Sequence, residues 1–157
     1  MLALVDNYTV LKFFHVFLAI VWIGGGVMLM VLAELTKRTQ EPGAMARLAR
    51  QIDWVSTRIL IPSALVVFGL GFWLIHKGQW GYDHFWVVWG IVAFVVSFVL
   101  GAAFLGPQSG RVGKLIQAEG PDSPQVLKQI DLLVNVARVD ILILASIVFM
   151  MVTKVGQ

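Results

Sequence analysis

Cysteine is absent from the 157-residue chain, which excludes a disulfide framework, a thiolate metal site and a thiol nucleophile. Charge is scarce as well: Asp, Glu, Lys and Arg make up 13% of the residues, where a soluble domain carries about 25%. No Walker loop, HExxH or GxSxG motif and no paired catalytic carboxylates occur, so phosphate-loop, zincin and hydrolase chemistries have no carrier. The chain is rich in apolar surface instead. Hydrophobic residues account for 59% and the mean hydropathy is +0.84, more than a unit of this size hides from water. These values exclude an ordinary cytosolic enzyme, a disordered chain and a nucleic-acid-binding module. They describe an integral membrane protein whose first partner is the lipid bilayer.

A helix needs about 20 mostly apolar residues to cross a hydrocarbon core. Within a single domain covering residues 1–157, four stretches qualify, at about 10–33, 59–76, 84–105 and 132–153. The first run is longer than a signal-peptide core and is followed by no small-residue cleavage site, so it reads as a span. The fourth carries Asn135, Arg138 and Asp140 in its first half. Either those side chains face the bundle, or the helix enters the membrane from an amphipathic extension. Ser123-Pro124 is a good helix start, and Val126, Leu127, Ile130, Leu133, Val134 and Ala137 recur at helical spacing, so residues 124–153 read as one long helix. Ahead of the second span, Ala44, Leu48, Ile52 and Val55 form a stripe. That segment either lies on the membrane surface or begins the span early. The expected fold is all-α: a four-helix transmembrane bundle with cytoplasmic helical extensions.

Charge sets the orientation. The long connections, 34–58 and 106–138, hold nine of the twelve basic residues, and the opposite face holds only Lys12, Lys77 and Lys154. The positive-inside rule then places the long connections in the cytoplasm and both termini outside. Trp73, Trp80, Tyr82, Trp86 and Trp89 cluster around the short loop as an interfacial belt would.

On this topology all three histidines fall at one membrane edge. His15 lies one to two turns inside the first span, His76 closes the second, and His84 opens the third. An imidazole nitrogen is a good axial ligand for haem iron and also binds copper or zinc. His15, an ionisable group within a span, is the primary metal-ligand candidate. His84 and His76 are candidate second ligands, and Lys12 and Lys77 are placed to meet porphyrin carboxylates. Both outer histidines also fit the plainer role of interfacial residues. At the other face, Glu34, Arg58, Arg138 and Asp140 are expected to pair across helices, as ties within the bundle or as a polar route. Gly24, Gly25 and Gly26 admit a close neighbour, either a helix or a flat ligand. Pro62 and Pro107 mark a kink or a boundary.

The stretch Leu11-Lys12-Phe13-Phe14-His15-Val16-Phe17-Leu18-Ala19-Ile20-Val21-Trp22-Ile23-Gly24-Gly25 resembles the LKxxHVxxAxxWxGG first helix of a domain-of-unknown-function family of bacterial four-helix membrane proteins. That family looks akin to CopD-type copper-resistance proteins and HemJ-type protoporphyrinogen oxidases. Trp54, Arg58, Pro62, Gly69 and Gly71 are similar to the W…R…P…G pattern of its second helix. The resemblance implies haem b on His15 and a cofactor-side role for Arg58. In HemJ-type proteins the third helix shows His-x-Lys, whereas this chain reads His84-Phe85-Trp86, so the resemblance implies haem-binding or redox function more than that oxidase reaction. Two other classes fit the residues: a small transporter or channel subunit working as a homo-oligomer, and an assembly factor that binds other membrane proteins.

Overall fold

Four long helices form wherever the apolar runs leave the backbone no hydrogen-bond partner except itself. A computed structural model describes residues 6–39, 41, 43–121 and 123–156. Helix α1 spans Asn7–Thr39, α2 Ala44–Lys77, α3 Phe85–Glu119 and α4 Pro124–Thr153, and all four are long and apolar enough to cross a membrane. Ser123 caps α4 by accepting the Val126 backbone N–H at 3.3 Å, with Pro124 at the first helical position, as its sequence foretells. The 44–55 segment does not lie apart as a surface helix. It is the first third of α2, with Leu48 and Ala49 buried, and it resolves the open alternative in favour of an early start.

Each of α2 and α3 contains one wide turn, and both have the same cause. Proline has no N–H, and its ring clashes with the carbonyl four residues earlier. Just before Pro62 and Pro107 the chain widens to i→i+5 bonding: Ile61 N–H donates to the Ser56 carbonyl, and Gly106 N–H donates to the Gly101 carbonyl. These π-turns occupy Ser56–Leu60 in α2 and Leu100–Leu105 in α3. The prolines therefore bulge the helices without ending them. A Cβ on Gly113 would lie 3.7 Å from that of Ala49, and counting along the two antiparallel helices from this contact brings the bulges to one level.

Packing occurs in three layers along the bundle. At the extended end, Val112 and Ile116 of α3 meet Val126, Ile130 and Val134 of α4. In the middle, Ala64, Ala93, Phe94, Leu144 and Ile147 form a core. Phe94 stacks on Phe68 of α2 at 4.4 Å and also touches Trp22 of α1 and Phe98. At the short-loop end, Trp86, Val87 and Met150 pack together, and the Lys154 ammonium lies 4.0 Å from the Trp80 ring centroid. Helix α1 buries no residue fully and lies along the outside of the bundle, where large apolar side chains such as Phe13, Phe17 and Ile20 are exposed. Such a surface is suited to hydrocarbon and not to water.

Because lipid tails are as apolar as leucine, this aromatic stack acts through close contact and not through water exclusion. Phe94→Ala empties the place where three helices meet. It is expected to cost about 3 kcal/mol, read as an earlier unfolding midpoint in a denaturing-detergent titration.

Candidate functional site

Between the four helices, beside the bulges, lies a cavity of about 170 Å³. Trp22, Gly26 and Met30 of α1, Ser56 and Leu60 of α2, Ser97, Gly101 and Leu105 of α3, and Val134, Asp140 and Leu144 of α4 are among its walls. The π-turns supply Ser56 and Leu60 on one side and Gly101, Ala102 and Leu105 on the other. Gly26 and Gly101 leave real space: a Cβ at either would meet no heavy atom within 4 Å.

Two polar atoms inside this apolar chamber make no hydrogen bond of normal geometry among the described residues, although their side chains are close enough to engage each other. Ser97 is 1% exposed and its hydroxyl makes no hydrogen bond among the described residues. The same holds for Oδ1 of Asp140, whose carboxyl has the Ser97 side chain as a polar neighbour. A buried polar atom left unpaired costs about 1–3 kcal/mol, and more when it is charged, so such a pair is a reserve of unmade interactions. By contrast, the Ser109 hydroxyl is satisfied, donating to the Leu105 carbonyl at 2.8 Å.

The expected four-charge constellation is only half assembled. Glu34 accepts from Arg38 at 3.1 Å and lies 3.8 Å from Arg138 of α4, which also donates to Asn135 Oδ1 at 3.2 Å. Lys37 pairs with Asp131 nearby, tying α1 to α4 a second time. Arg58 is exposed and pairs with no acid among the described residues, and neither does Asp140 pair with a base there. Helical geometry gives the reason. Asp140 is two residues beyond Arg138, about 200° around the axis, so Arg138 faces Glu34 while Asp140 turns into the bundle. Serine leaves no periodic or charge signal in an apolar run, and Ser97 is accordingly the site residue that sequence reasoning misses.

His15 is bound to the neighbouring helix. Its Nδ1 lies 3.0 Å from the Val67 carbonyl of α2, and since a carbonyl only accepts, Nδ1 carries a proton, which in the neutral ring leaves the lone pair on Nε2. Gly71 makes room for the ring, as a Cβ there would come within 3.3 Å of His15 Cε1. His76 is exposed in the last turn of α2. His84 sits at the N-cap of α3 with its ring edge-on to Trp80 at 6.0 Å. Lys12 and Lys77 are exposed. Among the described residues no three His, Asp or Glu side chains gather as a metal-binding group. Trp22, on the His15 side of α1, reaches the cavity wall, whereas His15 itself is not on it.

The sequence profile of a family described as "Predicted integral membrane protein (DUF2269)" matches residues 9–155. No curated protein and no solved structure matches the chain.

The His15 bond joins two helices within the apolar layer, and interhelical hydrogen bonds there average about 0.6 kcal/mol. His15→Leu is therefore expected to leave the chain folded and to lower its stability by about that amount. A much larger drop in a denaturing-detergent titration would show that the imidazole holds more than this one bond.

Proposed function

Because the chain belongs to this family of predicted integral membrane proteins, we propose that it works within the bilayer as a small binding or transport subunit, which takes a mainly apolar molecule into the cavity between its four helices. The observation that carries this reading is the pairing of an apolar chamber with two unpartnered polar atoms, Ser97 Oγ and Asp140 Oδ1, set deep within it. Ligand sites are built in this way, from apolar walls that give affinity and a few polar groups that orient the guest. An ionisable residue within a span, facing the bundle interior, is the usual mark of such a site. Glu34 and Arg138 flank a shallow neighbouring depression that shares Met30 and Val134 with the chamber, placing an ion pair beside its extended end. With the extended end in the cytoplasm, as the basic residues direct, that ion pair lies on the inner side of a bacterial inner membrane.

A second reading is haem b binding, favoured by the His15 geometry. An Nδ1–H bond to a backbone carbonyl is the usual orienting contact behind a metal-ligating imidazole, and it leaves Nε2 free to serve as an axial ligand. When bound, haem would supply one-electron exchange. The part of this chain is to hold the ring and its tautomer through Val67 and Gly71. Protein from haem-replete cells is then expected to show a Soret band that His15→Ala removes, while a blank reduced-minus-oxidised spectrum would sink this reading.

The cavity reading is tested by filling it. Gly101→Leu and Gly26→Leu place a side chain in open space and replace a poor helix former, so the variants are expected to be at least as stable as the parent. Bromobenzene, close in size to guests of cavities of about 150 Å³, should quench the Trp22 fluorescence of the parent protein. The Trp22→Phe difference isolates that signal, and both leucine variants should abolish it. Equal quenching in parent and filled variants would refute the proposal.

A further inference from the structure

The make-up of the chamber narrows its guest beyond "mainly apolar", an assignment that rests on the cavity reading. Among the described residues its walls carry one carboxyl group and no lysine, arginine or histidine. Glu34 and Arg138 engage each other outside the chamber lining, and Arg58, between the lining residues Ser56 and Leu60, is exposed and not part of the lining. An anion entering would therefore meet Asp140 with no compensating cation, while a cation would find a counter-ion already in place. Ser97 Oγ and Asp140 Oδ1 both offer lone pairs, and neither is in use among the described residues. A group with several N–H donors suits both atoms at once, and an ammonium group has three.

Shape supplies the second constraint. Along α4 the lining runs from Ile130 to Leu144, about 21 Å at 1.5 Å per residue. A lining that extends so far along the bundle axis is suited to a chain more than to a compact ring system. The polar atoms are not central in it. Asp140 lies one turn from the Leu144 end, so about 15 Å of apolar wall extends from it towards Ile130. Met30, Leu60, Leu105, Leu133 and Val134 line that stretch, with the two proline-induced bulges on either side.

We infer that the cavity binds a single-chain amphiphile with a primary ammonium head, its head on Asp140 and Ser97 and its tail running between the bulges towards the extended end. The carboxylate and hydroxyl accept the ammonium N–H groups, and the tail fills space that would otherwise lack contacts. The Ser97 hydroxyl keeps its own proton, which is free to turn onto the second carboxylate oxygen.

The test is calorimetric titration of the full chain in phosphatidylcholine nanodiscs with dodecylamine, dodecanol and dodecanoate, using empty nanodiscs to subtract partitioning. The amine is expected to bind about tenfold more tightly than the alcohol, with dodecanoate weakest. Asp140→Asn, which preserves shape, should lower amine affinity to that of the alcohol and leave alcohol binding within about twofold. Ser97→Ala provides a second variant and should lower amine affinity by a smaller factor. If parent protein binds amine and alcohol equally, or if Asp140→Asn keeps the preference, the ammonium assignment is overturned although the cavity reading stands. If Gly101→Leu still binds all three as the parent does, the cavity itself is the wrong place and both fall.

Discussion

In hydrocarbon a backbone amide or carbonyl has no water to turn to, and every other feature of this protein derives from that constraint. Four apolar segments become helices because a helix satisfies its own backbone. Pro62 and Pro107 break that self-sufficiency in the two central helices. The chain answers with two π-turns, in which Ile61 and Gly106 reach one residue further back for their acceptors. A widened turn displaces the side chains beyond it, and two such turns at one level hold the helices apart where straight ones would close. The cavity is thus a consequence of two prolines as much as of the glycines that line it.

Most of the polar side chains obey the same constraint. His15 finds the Val67 carbonyl, Trp89 Nε1 donates to Ser146 Oγ at 3.1 Å, and Gln129 donates to Gln108 at 3.1 Å. Each of these bonds joins two helices, so the requirement to satisfy a polar group also sets helix rotation. At the extended end the charges pair in partial contact with solvent, where an ion pair contributes about 0–1 kcal/mol. Glu34 with Arg138 and Lys37 with Asp131 therefore define register between α1 and α4 more than they add stability. Among the described residues Trp86 Nε1 at the short-loop end lacks an acceptor, and the other exception is Asp140 with Ser97. Their unused lone pairs in the apolar interior are the feature on which the functional reading stands.

Hydropathy is enough to read four crossings and an all-helical fold from the residues, because mean composition over a span is insensitive to detail. The start of α4 is legible too, since Ser123-Pro124 is a local signal that needs no tertiary contact. Rotation about each helix axis is not. Asp140 and Arg138 are two residues apart and read in sequence as one charge cluster, yet helical geometry sends them to different surroundings. The stripe at 44–55 has the same pattern for a surface helix and for an early start to α2, because an apolar face does not say whether lipid or Gly113 will cover it. The prolines are visible, but not whether each ends its helix or bulges it. The histidines share a membrane edge by topology, and only packing shows that His15 is engaged with α2 while His76 is exposed.

The central claim is that α2 and α3 run antiparallel in a register that sets the two bulges face to face around the cavity. Ala49 and Gly113 report on that register directly, because a Cβ at Gly113 lies 3.7 Å from the Ala49 Cβ, within the roughly 3.5–4.5 Å span of a disulfide. The chain has no cysteine of its own, so Ala49→Cys with Gly113→Cys introduces the only thiols. Rapid, near-complete intramolecular cross-linking on mild oxidation in native membranes is the predicted result. Failure of that pair to cross-link, with Ala49→Cys joining efficiently to Gly110→Cys or Gln117→Cys instead, would shift the register, separate the bulges and contradict the account.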